Sequence, residues 1–198
     1  MEIIKPYLLT FIPIFVAVDS IGNIPLFISM VEGMSKREKK KIVLDTVVTA
    51  TLMAVLFMFL GKGVLRLLNI TIPDFQIAGG LLLFVISARL LLPGAQKSLA
   101  TGSHDKYMGV FPMGTPLVTG PAVLTTTLIM VDTFGVAATF VSLVLNMLIV
   151  WVTLASSDLI IKRIGQSGTR AFSKIMYILL AAIAVMMTRK GIEGAFLR

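Results

Sequence analysis

Apolar and polar residues fall along this chain in long blocks. From Tyr7 to Val31 the only charge is Asp19, and from Ile42 to Gly61 the only one is Asp45. No charge at all occurs from Phe75 to Ala88, Tyr107 to Val131, Thr133 to Ser157 or Ile175 to Thr188. A helix needs about 20 mostly apolar residues to cross about 30 Å of hydrocarbon. The pattern therefore predicts six spans, at 7–31, 42–69, 72–92, 108–131, 134–161 and 171–190. The expected fold is an all-α membrane protein forming a single polytopic domain over 1–198.

Two of the six blocks are interrupted in the same way. The first breaks at Val18-Asp19-Ser20-Ile21-Gly22-Asn23-Ile24-Pro25, the fourth at Thr115-Pro116-Leu117-Val118-Thr119-Gly120-Pro121. Each break is followed by a long second span that ends in a basic, glycine-containing turn and then by a third span. The polar, turn-rich stretch 93–107 divides the chain, giving repeat 1 at about 1–92 and repeat 2 at about 108–198. Three spans per half is an odd number, so the second half must enter the membrane in the opposite sense. That is an inverted repeat with helices 1 and 4 discontinuous, and paired interruptions of this kind point to a substrate site near mid-membrane.

The residue types at the breaks suggest what such a site holds. Proline suits the first turn of a helix, where its missing N–H has no partner to lose, so Pro25 and Pro121 read as the starts of second half-helices. Helix N-termini favour anions, and the carbonyls ending the first half-helices near Val18 and Val118 favour a cation or ammonium group. Together they suit a zwitterion such as a small amino acid. Candidate substrate-binding residues are Asp19, Ser20, Gly22, Asn23, Pro25, Thr119, Gly120, Pro121, Thr125 and Thr126. A carboxylate within a span usually marks an ion or proton path, so Asp19 is also the candidate ion-coupling residue, for Na+ or H+; as a structural acid, it has Arg89 as a candidate partner. Asp45, Asp132 and Asp158 lie nearer span ends and read as interfacial. Asn146 reads as an interhelical hydrogen-bonding group. Thr46, Ala50 and Ala54, at four-residue spacing, form a small face for close packing or equally for a homo-oligomer contact.

Composition narrows the class further. Charged residues make up 14 % of the chain, well below the roughly 25 % of soluble domains. The net charge of +8 lies in loops too short to form a nucleic-acid module, so it reads as a topology signal. Twelve of the 18 Lys and Arg residues follow spans one, three and five, including Lys36–Lys41. Positive-inside bias then places both termini outside. There are no cysteines, which excludes disulfides and thiolate chemistry. No hydrolase, zinc-protease or nucleotide-binding motif is present, and Ser20 beside Asp19 is the only nucleophile–acid pair at depth. The reading is therefore not an enzyme, with no cofactor beyond a coupling ion.

At these residues the chain resembles the MarC family of integral membrane proteins, which includes the SnatA-type transporters of small neutral amino acids. Val18 to Phe27 is similar to the family's (D/N)-P-x-G-N-x-P motif, with Ser20 where the family usually has proline. Ile72-Pro73-Asp74-Phe75-Gln76-Ile77-Ala78-Gly79-Gly80 resembles its I-P-x-x-x-I-A-G-G segment. Pro116 to Thr126 is similar to P-L-x-x-G-P-x-x-x-T-T, and Ile164 to Gly168 to I-G-x-x-G. The resemblance implies an inner-membrane secondary transporter of alanine, glycine or serine, an exporter or ion-coupled carrier working outward by alternating access and driven by an ion gradient. The alternative is a channel or a non-transport membrane protein of the antibiotic-resistance-associated type.

Overall fold

The computed structural model describes residues 4–31, 33–92 and 108–196. Every described element is a helix: α1 (Lys5–Val18), α2 (Asn23–Met30), α3 (Lys36–Leu67), α4 (Ile72–Leu91), α5 (Gly109–Val118), α6 (Pro121–Phe134), α7 (Val136–Ala155) and α8 (Ser157–Phe196). The expected connector at 93–107 lies outside the described residues.

Local chemistry explains the boundaries. Ser35 and Thr71 open α3 and α4 with reciprocal capping boxes to Glu38 and Asp74, which satisfy amides that a helix start leaves unpaired. Gly135 joins α6 to α7 at φ 85°, a left-handed conformation that glycine adopts without penalty. In α5 the helix is irregular because Phe111 and Thr115 are extended. Each directly precedes a proline, whose ring disfavours helical geometry in the residue before it.

Two boundaries differ from those expected. The second half-helix after the first break starts at Asn23, so Pro25 is its third residue. The fifth span ends at Ala155 rather than 161, and the basic stretch expected as a loop is already part of α8. Gly165 and Gly168 weaken that stretch, but it contains no proline to break the ladder.

Among the described residues, α3, α4 and α7 are long and apolar enough to cross a membrane individually. α5 and α6 qualify together as one span bent by 54°. α1 is a shorter apolar helix. Many large apolar side chains point outward, including Leu52, Phe59, Leu148 and Trp151, an arrangement that suits hydrocarbon.

The helices pair with definite polarity. Ser142 and Asn146 of α7 donate to the carbonyls of Tyr7 and Phe11 at 3.1 and 3.3 Å, so α1 and α7 run parallel. Gly109 and Gly114 of α5 lie against Ile42 and Thr49 of α3, so that pair also runs parallel. α4 and α8 are antiparallel and share the most extensive interface. Gly80 lies against Ala184 and Thr188, while Gly191 lies against Pro73 and Ile77. Small residues permit such approach, as is usual between membrane helices. The small face on α3 is fully buried: Thr46, Ala50 and Ala54 are each 0 % exposed.

Two ion pairs sit at opposite ends of the bundle. Lys39 at the start of α3 binds Asp158 at the start of α8, at 2.8 Å, and Lys62 near the end of α3 binds Asp132 near the end of α6. Partly exposed pairs contribute at most about 1 kcal/mol, so their value here is geometric. Each names two loops on the same side.

Because the chain has no cysteine, sidedness can be read by single substitutions. Lys39→Cys and Asp158→Cys should react with an impermeant maleimide from one face of the membrane, and Lys62→Cys and Asp132→Cys from the other. Labelling of all four from one face would contradict the arrangement.

Candidate functional site

The two breaks lie beside a common cavity of about 470 Å³. Asp19, Gly22 and Asn23 line it from the first break, and Pro116, Leu117 and Gly120 from the second. Ala122, Thr125 and Thr126 of α6 extend the second wall. The remaining surface comes from α1, α4 and α8, which include Ala17, Leu83 and Leu180. Two polar residues not singled out from the sequence, Gln76 of α4 and Lys190 of α8, also line it.

The first break is closed by its own side chains. Asp19 adopts a left-handed conformation at φ 45°, which aspartate tolerates better than most residues. Its carboxylate accepts from the Gly22 amide at 3.1 Å and covers the spot where a Gly22 Cβ would sit. The Asn23 side chain donates to the Val18 carbonyl at 2.9 Å, closing the end of α1. The Asn23 and Ile24 amides donate to the Asp19 and Ile21 carbonyls. The expected anion-binding amides at the start of α2 are therefore already used. What this break offers the cavity is the Asp19 carboxylate, which forms no ion pair among the described residues; the Asp19–Arg89 pairing does not occur.

The second break is built differently. The Thr119 hydroxyl donates to the Ala50 carbonyl of α3 at 2.9 Å, and the Thr119 amide to the Gly114 carbonyl. Gly120 is extended and lies so close to the Pro116 carbonyl that a Cβ would overlap it. The backbone ladder of α6 begins with Leu124 donating to Gly120, which leaves the Ala122 and Val123 amides without an intrahelical partner. Thr125 and Thr127 donate to carbonyls one turn back in their own helix, leaving oxygen lone pairs as acceptors.

Not every candidate faces the cavity. Ser20 is 1 % exposed and its hydroxyl has no partner among the described residues. Thr119 points into α3, and the Pro121 ring packs against Gly79 of α4. Of Pro25, its place in α2 is what is described. Asn146 makes the interhelical bond expected of it. Asp132 and Asp158 are held at the bundle ends by lysines.

Residues 4–196 match the family described as MarC family integral membrane protein. The chain belongs to the MarC family. It is 30 % identical over 200 residues to a UPF0056 membrane protein of Methanocaldococcus jannaschii, covering 96 % of this chain and 98 % of that one. A UPF0056 membrane protein of Archaeoglobus fulgidus is 32 % identical over 192 residues, covering 92 % and 90 %. One from Buchnera aphidicola subsp. Baizongia pistaciae is 28 % identical over 182 residues, covering 90 % and 92 %. No solved structure matches the chain. Family membership thus spans both breaks and makes this an integral membrane protein, with the cavity above as the candidate site of this MarC chain.

The close contact at Gly120 gives a direct test. Gly120→Ala drives a methyl group into the Pro116 carbonyl, and overpacking of this kind costs about 1–3 kcal/mol. Gly63 on α3 has nothing within 4 Å of its Cβ position. In detergent, Gly120→Ala should lower Tm by several degrees while Gly63→Ala leaves it unchanged or raises it. Equal effects would show that the second break is not so tightly folded.

Proposed function

We propose that this MarC-family protein is a secondary transporter of small neutral amino acids, working by alternating access around the cavity between the two breaks. The observation that carries the reading is that both interruptions contribute to one cavity while offering it opposite chemistry. The first presents the Asp19 carboxylate to an ammonium group or a coupling cation, Na+ or H+. The second presents the start of α6, with its unpaired Ala122 amide, and the Thr126 hydroxyl to a carboxylate. A zwitterion lying between them meets both. Gly22 and Gly120 let each break fold tightly, against the Asp19 carboxylate and the Pro116 carbonyl, and the apolar walls suit a small aliphatic side chain.

The helix polarities support the transport half of the reading. α1 parallel to α7, α5 parallel to α3, and α4 antiparallel to α8 are the relations expected when two three-span halves are exchanged by a two-fold axis in the membrane plane. In that arrangement α1 with α2, and α5 with α6, each count as one crossing, giving six spans. The loops joined by Lys39–Asp158 then share one side and those joined by Lys62–Asp132 the other. With the positive-inside bias, both termini face outward from the cytoplasmic membrane. An inverted repeat also supplies a mechanism, since the halves can exchange conformations and open the site to the opposite side.

The test is counterflow of labelled alanine in proteoliposomes. The account predicts saturable counterflow by the wild type, and its loss or uncoupling from the ion gradient in Asp19→Asn, with that variant still monodisperse in detergent. Flux that fails to saturate would mean a channel. Ion-coupled flux unchanged in Asp19→Asn would remove that residue from the mechanism.

A further inference from the structure

Lys190 lines the cavity yet belongs to the group of basic residues that the charge pattern assigns to topology. Its setting argues for more than that. Gly191 beside it lies against Pro73 and Ile77 of α4, which places Lys190 and Gln76 in one layer near the end of the α4–α8 pair. The second break lies about one turn deeper, where the Pro121 ring packs on Gly79, three residues along α4 from Gln76. Leu180 also lines the cavity, ten residues back along α8, roughly 15 Å at helical rise. The Cα–Cβ bonds of a helix tilt toward its N-terminus, so Lys190 sets out toward the cavity, and as an exposed residue it sits at the mouth.

Charge within the cavity is simple. Lys190 forms no ion pair among the described residues, because the acid of that turn, Glu193, faces Arg189 at 3.7 Å. Asp19 is likewise without a cationic partner. Between them the α8 wall is apolar, carried by Leu180, Ile183 and Met187. Low-dielectric walls of this kind focus the field of charges placed at their ends. The cavity is thus balanced overall, with a cation near its outer end and an anion at the break.

We propose that Lys190, with Gln76 beside it, is a specificity-determining residue that receives the substrate carboxylate at the outer end of the cavity and admits net-neutral zwitterions in preference to cationic amines. The proposal rests on the carrier reading above and adds the residue that selects. A zwitterion meets Lys190 with its carboxylate on entry and then passes inward, where the start of α6 takes the carboxylate and Asp19 the ammonium group. A cationic amine meets Lys190 with no compensating charge, and a simple anion meets Asp19.

Alanine counterflow in proteoliposomes, measured at low and high salt for wild type, Lys190→Gln and Lys190→Arg, tests this. Alaninamide, which carries the amine but no carboxylate, serves as competitor. For Lys190→Gln we expect KM for alanine to rise about tenfold with the maximal rate retained, consistent with a lost charge-assisted hydrogen bond to the carboxylate. Its salt dependence should flatten and alaninamide should begin to compete. Lys190→Arg should restore the wild-type pattern. Wild-type KM, salt dependence and selectivity in Lys190→Gln would overturn the proposal and leave the carrier reading standing. Absence of saturable counterflow in the wild type would overturn both.

Discussion

Backbone amides and carbonyls inside hydrocarbon find no water to bond, so a helix can be interrupted there only where protein groups take over. Protein groups take over at both interruptions in this chain, fully at the first and in part at the second. Around Asp19 the substitution is local: the carboxylate takes the Gly22 amide and the Asn23 side chain takes the Val18 carbonyl. Around Thr119 it is tertiary, since the hydroxyl bonds the Ala50 carbonyl of α3. The first break is therefore a self-contained turn that presents an acid. The second is pinned to a neighbouring helix and leaves the opening amides of α6 uncommitted. The chemical asymmetry of the cavity follows from how each break satisfies its own backbone.

Packing keeps the breaks beside one cavity. The buried Thr46, Ala50 and Ala54 face lets α5 and α6 approach α3. Gly79 receives the Pro121 ring, and Gly80 and Gly191 bring α4 and α8 together. In lipid, where burial of apolar surface contributes little to helix association, contact of this kind and interhelical hydrogen bonds are the main attractions available. Gly79 is thus tied to the site at one remove, because it sets how closely Pro121, and with it the start of α6, lies to α4.

Much of this was legible from residue order alone. Charge-free blocks located the long helices, the proline–glycine clusters located the breaks, and the spacing of Thr46, Ala50 and Ala54 located a packing face. Rotational phase was not legible. In half-helices this short, the sequence does not say which face turns to the cavity, and so Ser20, Thr119 and Pro121 could not be separated from Asp19, Asn23 and Thr126. Nor could a pattern reading foresee that the Asp19 and Ile21 carbonyls would occupy the first amides of α2. Gln76 and Lys190 were invisible for another reason: near the ends of spans they have the composition of ordinary interfacial residues. Their place in the cavity comes from the α4–α8 pairing, a contact between residues more than one hundred positions apart.

The central claim is that one ligand is held between the two breaks. Ala17, in the last turn of α1, and Thr126, in α6, both line the cavity. In this cysteine-free chain each can be replaced singly by cysteine and its modification by a small water-soluble thiol reagent timed with and without saturating alanine. The account predicts that both positions react and that alanine slows both to a similar fraction. Protection at one position alone, or at neither, would contradict it.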